Sequence, residues 1–259
     1  MSKRALIVKC LLVAAQCVLL TASAGRSDAA TGLLVNADVT VNTTWTTADS
    51  PVTISGDRSV AAGVTLTIEA GVEVRMVAGA SLTVNGSLVT QGTSGSPVLF
   101  HPDNGSTTPG YWDGLKLAST STSNRLDHTT FEYGGGGGWQ GAVRFGDVSS
   151  ANLKFNYCTI RYSATAGLYM DASTGAADFT NGNVENCNGD GIYMGSNANA
   201  CDLNGNIVRN NTGRAYAVGA NKYAATGVVT GNGFNGIHLI GSIDVTASGT
   251  YGVSIRCEG

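Results

Sequence analysis

Residues 155–226 read FNYCTIRYSATAGLYMDASTGAAD (155–178), FTNGNVENCNGDGIYMGSNANACD (179–202) and LNGNIVRNNTGRAYAVGANKYAAT (203–226), three rows that align without a gap at a spacing of 24. Ile160 falls on Val184 and Val208, Gly167 on Gly191 and Ala215, Leu168 on Ile192 and Tyr216, and Met170 on Met194 and Val218. A fixed period of this size marks a solenoid, in which each repeat buries its apolar face by stacking on its neighbours. Within a row the apolar residues alternate, as in Leu168 and Met170, which is strand periodicity. The rows therefore predict an all-β fold, one parallel β-helix with coils of about 24 residues.

Working outward, Val64-Leu66-Ile68, Val72-Val74-Met76, Leu82-Val84 and Val98-Phe100 repeat the alternation, with glycines at the turns. LDHTTFEY (126–133) matches FNYCTIRY (155–162) at a spacing of 29, while WDGLKL (112–117) and GAVRF (141–145) match the strands holding Tyr169 and Tyr193. The extra residues form two loops, His101–Tyr111 and the glycine run 134–138 followed by Trp139. Inserted loops on a rigid solenoid are where function tends to sit. The glycine run lacks the Lys-Ser/Thr and the helix of a phosphate loop.

Lys3 and Arg4, the apolar stretch 11–20 and Ala22-Ser23-Ala24 predict a secretory signal peptide over 1–30, cut after Ala24 or Ala30. The apolar run is too short to span a membrane, and no later stretch approaches that length. Residues 31–50, polar and Thr-rich, are the expected N-terminal cap, and 51–259 the β-helix, ending one strand into a coil. That open last coil is expected to be covered by sequence beyond Gly259 or by another chain. Loss of Lys3, Arg4 and Lys9 takes 15 basic residues to 12 against 18 acidic, a net charge of −6. An acidic exported chain does not fit a nucleic-acid partner. Cys158 and Cys187 share no column with each other or with Cys201, so buried free thiols are expected within the repeats.

These rows resemble the right-handed parallel β-helix repeat family, the pectin-lyase-like superfamily, through Val184, Asn186 and Gly191-Ile192-Tyr193-Met194, and again through Val208, Asn210 and Ala215–Val218. The resemblance implies an Asn ladder inside the turns, with Tyr162 replacing Asn in the first row. It does not fix an activity, because this fold hosts lyases, hydrolases, adhesins and inert stalks. The Asn-Thr-Asp, paired-Asp, His-Gly and Arg-Ile-Lys motifs of the polygalacturonase-like hydrolases do not occur, and no two acidic residues are adjacent.

Equivalent residues of successive coils lie about 4.8 Å apart, so columns are the units of surface chemistry. Glu132, Arg161, Glu185 and Arg209 form one column of alternating sign, and Asp190 over Arg214 repeats the pairing. Asp178 over Asp202 reads either as two solvated turn carboxylates or as a weak Ca²⁺ site, the one cofactor the pattern admits. Thr65, Thr67 and Thr83 point outward, but Glu73 and Arg75 are expected to interrupt them. The remaining column is Lys116, Arg144, Tyr169, Tyr193, Ala217 and His238, with Trp112 and Trp139 carried by the loops. Cations neutralise carboxylates and aromatic faces stack on sugar rings, so this column is the expected site for an acidic or neutral polysaccharide or surface glycan. Ordinary strand formers on a solvated face, with tryptophans packed in turns, are the alternative. Two functions follow: a non-catalytic structural or glycan-binding stalk at the cell surface, or a polysaccharide lyase-like or glycoside hydrolase-like enzyme with Lys116 or Arg144 as the reactive cation.

Overall fold

The computed structural model describes residues 32–145, 153–170, 177–195, 201–218, 223–230, 232 and 237–239. The predicted signal peptide, the open last coil and Cys257 lie outside them. No helix occurs among the described residues, and the strands form two sheets of 15 and 8 strands. Each coil contributes up to three strands. In one coil these are Leu153–Asn156 on the first face, Thr159–Arg161 on the second and Ala166–Met170 on the third. The first two faces join through the long strand Cys201–Arg209, which turns the corner at Gly205, where φ is 74°. The third face is the separate 8-stranded sheet.

The register follows the repeat. Ile160 pairs with Val184 and Val184 with Val208, all three fully buried. Leu126 pairs with Phe155 and Phe131 with Ile160, so the spacing of 29 marks one coil. Inward residues fill the coil interior in ladders. Phe100 stacks on Phe131 at 5.0 Å, and Phe155 lies 5.3 Å from Phe145 and 6.0 Å from Phe179. Each buried ring contributes about 1.5–3 kcal/mol, and every coil adds its share only when the next coil covers it. The glycines at the start of two third-face strands, Gly167 and Gly191, have a packing cause. A β-carbon on Gly167 would collide with Val184 Cγ1, and one on Gly191 with Val208 Cγ1.

Two expectations change and one gains detail. Within the stretch expected as the cap, Leu33–Val35 pairs with Val52–Ile54 and Thr43–Trp45 with Thr65–Ile68, so it is laid down in coil register. Its polar sequence still buries Trp45. Thr65 and Thr67 lie on the first face, Glu73 and Arg75 on the second and Thr83 on the third, so the charged pair does not interrupt the threonines and Thr83 does not join them. Finally, Asn186 and Asn210 are not the inner ladder. They take φ of 57° and 56°, alongside Tyr133 and Tyr162 at 62° and 58°, as the left-handed residues of one corner. The buried amide ladder is built instead by Asn206 and Asn211. Asn206 Oδ1 accepts from the Gly182 N–H at 2.8 Å, and its Nδ2 donates to the Phe179 and Leu203 carbonyls.

Candidate functional site

On the third face, Ser59 pairs with Thr83, Thr83 with Lys116, Lys116 with Arg144, Arg144 with Tyr169, and Tyr169 with Tyr193. Tyr193 pairs with Ala217 and Ala217 with His238, which completes the predicted column in register. Neighbours on either side of each residue, such as Leu115 and Leu117 around Lys116, are fully buried. Strand alternation therefore turns Lys116, Arg144, Tyr169 and Tyr193 outward, and each is half-buried. Ala217 is fully buried, so the accessible column ends at Tyr193, and the His238 side chain lies outside the described set.

The tyrosine geometry differs from the sugar platform expected. Tyr169 and Tyr193 stack on each other, with centroids 4.6 Å apart and planes 4° from parallel. The Arg144 guanidinium covers Tyr169 from above, its Cζ 5.8 Å from the ring centroid. Coil spacing and ring stacking distance coincide, so the ladder uses the ring faces itself. Tyr169 has neither face available for a sugar ring, and what the pair turns outward is its edges.

The two cations differ from Arg161, Arg209 and Arg214, while Arg58, beside Ser59, bonds only the Asp57 carbonyl among the described residues. Arg161 Nε donates to Glu132 Oε1 at 2.6 Å, and Arg209 Nε to Glu185 Oε2 at 2.7 Å. Arg214 engages Asp190 through Nε at 2.9 Å and Nη2 at 2.6 Å. Lys116 and Arg144 stand directly above one another and join no ion pair among the described residues. The Arg144 Nε is buried and has no hydrogen-bond acceptor.

The tryptophans do not overhang the column as a pair. Trp112 is fully buried and donates its Nε1–H to the Glu132 carbonyl at 2.7 Å, which removes it from the candidate surface. Trp139 is half-buried, and its ring lies against Gly114, where a β-carbon would come within 2.9 Å of Cε3. The two inserted loops pack together: a β-carbon on Gly110 would meet the Gly136 Cα at 3.3 Å. Beneath them lies Asp113, a residue the repeat pattern does not flag. Gly137 crosses its carboxylate so closely that any side chain there would collide with it. Burial, and then the nearby Asp57 charge, push the Asp113 carboxyl above its ordinary value.

On the second face, Glu73 Oε1 accepts from Arg75 Nε at 3.0 Å and contacts His101 Nε2 at 2.7 Å. Burial raises the Glu73 carboxyl, but the Arg75 and His101 contacts together outweigh it and hold it below its ordinary value. On the first face Asp178 does stack over Asp202, yet Lys154 Nζ approaches Asp178 Oδ2 at 3.8 Å and Asp202 Oδ1 accepts from the Asn204 N–H. No group of three His, Cys, Asp or Glu side chains able to hold a metal gathers among the described residues. Cys158 and Cys187 are buried and unbridged, and burial pushes both thiols up to about 12.

Compared with known protein families, residues 37–176 match the pectate-lyase like beta helix domain. No curated protein and no solved structure matches the chain. With parallel strands in every coil of the described residues and a family match over more than half its length, the chain belongs to the pectate-lyase like beta helix domain family.

Proposed function

We propose that this protein is a non-catalytic glycan-binding β-helix that works outside the cell, with the outer column of the third face as its binding surface. The observation that carries the reading is the contrast between Lys116 and Arg144 and their fellow cations. Arg161, Arg209 and Arg214 are each neutralised by a neighbouring carboxylate, whereas Lys116 and Arg144, stacked in one column, have none among the described residues. Two like charges about one coil apart repel each other. An anionic ligand relieves that repulsion and gains charge-assisted hydrogen bonds. The flat, rigid strand ladder supplies a surface that need not reorganise on binding. Export is supported by the basic start, short apolar run and small-residue cut sites of residues 1–30. The direct test is a glycan array read with the wild-type chain and with Lys116→Ala plus Arg144→Ala. Binding to acidic glycans that the double variant loses supports the reading; an empty array, or binding unaffected by the double variant, contradicts it.

A second reading, a polysaccharide lyase-like enzyme, draws on the same pair. Either cation can hold and neutralise a substrate carboxylate, which favours removal of the neighbouring sugar proton. Incubation with polyuronates and Ca²⁺, followed by the ultraviolet absorbance of unsaturated products, separates the two. Turnover abolished by Arg144→Ala would replace the first reading with the second.

A further inference from the structure

From the register of the third face we infer that the ligand is a mostly neutral glycan carrying one anionic residue, or two adjacent ones, and not a uniformly charged polyuronate. The inference rests on the glycan-binding reading and specifies its ligand. The accessible column holds, in order, Ser59, Thr83, Lys116, Arg144, Tyr169 and Tyr193. Its chemistry is therefore two hydroxyls, two cations and two phenol edges, at one residue per coil.

A pyranose unit advances an extended glycan by roughly one coil spacing, about 4.8 Å, so a chain lying along the axis sets one sugar on each coil. Among the described residues of the column only Lys116 and Arg144 are cationic, and Arg58, beside Ser59, is in register with the buried Leu82 and has its Nε buried. Units beyond them toward the N-terminal end meet Ser59 and Thr83, which suit neutral hydroxyls. Units in the other direction meet the edges of the stacked tyrosines. The guanidinium of Arg214, at the corner near Tyr193, is already spent on Asp190, which it holds with two hydrogen bonds. A carboxylate over Tyr169 or Tyr193 would thus lose water without gaining a cation, and each such uncompensated charge costs affinity.

Arg144 also fixes where the anionic unit sits. Its guanidinium lies over the Tyr169 ring, its Cζ 5.8 Å from the centroid, which sets it at the junction between the cationic and phenolic halves. The column is consequently directional: charge toward the N-terminal coils, neutral edges toward the C-terminal ones.

The test uses three oligosaccharides of equal length, titrated calorimetrically into the full chain: one neutral, one neutral but bearing a single uronate, and one uronate at every position. The single-uronate chain should bind tightest, with the uniform polyuronate about tenfold weaker or more. In the Lys116→Ala plus Arg144→Ala variant the single-uronate chain should fall to the level of the neutral one. Thr83→Lys, which lengthens the cationic run by one coil, should shift the preference toward the polyuronate. A polyuronate that binds the wild type as tightly as the single-uronate chain overturns the inference and leaves the glycan-binding reading standing. A neutral chain that binds as tightly as the single-uronate one also overturns it, by removing the cations from recognition. Failure of all three to bind overturns the inference together with the reading beneath it.

Discussion

Asn211 spans three coils from inside one corner: its Oδ1 accepts from the Cys187 N–H at 3.0 Å, and its Nδ2 donates to the Val184 carbonyl and to Asn232 Oδ1. The side chain is almost fully buried, so water cannot replace what it supplies. Asn211→Ala should therefore destabilise the protein by about 1–3 kcal/mol for each buried group left unpaired. Urea unfolding monitored by circular dichroism reads this as a lower midpoint. A midpoint equal to that of the wild type would show that the ladder is dispensable.

Gly191 should tolerate no side chain, because a β-carbon there meets Val208 Cγ1, the Ala215 carbonyl and Asn211 Nδ2 together. Gly191→Ala is expected to cost about 1–3 kcal/mol through overpacking. Gly95, whose β-carbon would meet nothing within 4 Å, is the control, and Gly95→Ala should leave the unfolding midpoint in place.

Asp113 makes a signed prediction for pH. Its carboxyl is held above the ordinary value by burial and by Asp57, so the fold favours its protonated form. That contribution to stability is complete below the unfolded carboxylate pKa and is lost as pH rises through the higher folded value. Asp113→Asn should raise the melting temperature slightly at neutral pH and leave it unchanged in strong acid. Solvent screening keeps the gain below about 1 kcal/mol. Thermal melts across pH 3–8 check this, and a loss of stability at neutral pH would contradict it.

Cys158 and Cys187, with thiols pushed up to about 12, should resist alkylation while the chain is folded. At pH 8 only about one thiol in ten thousand would be ionised, before burial slows access further. Site-resolved mass spectrometry after iodoacetamide treatment should find both unmodified in buffer and both modified in guanidinium chloride.

The repeat carries most of the architecture on its face. Ile160, Val184 and Val208, the Asp190–Arg214 pair and the outward turn of Tyr169 between Leu168 and Met170 all follow from a period of 24 combined with strand alternation. The inner amide ladder is hidden because its columns change residue type from coil to coil. Asn206 stands where earlier coils have Gly182 and Cys158, and Asn211 where they have Cys187 and Ser163. The left-handed corner, by contrast, repeats Asn at 186 and 210 and so imitates a ladder. Trp112 is buried because it sits at a corner, where alternation no longer dictates which way a side chain points. Thr83 is hard to place above Lys116 because the inserted loop 103–111 lengthens that coil. The stacking of Tyr169 on Tyr193 was implicit in the coil spacing, since rings on adjacent strands of a parallel ladder lie within the centroid separation of an offset stack.

The most direct test of the binding face is a crystal structure of the full chain soaked with the neutral oligosaccharide bearing one uronate. Density is expected along the third face, parallel to the coil axis, with the carboxylate between Lys116 and Arg144 and the next sugar against the edge of Tyr169. Density on the second face, beside the Glu132–Arg161 and Glu185–Arg209 pairs, with the third face bare, would contradict this placement.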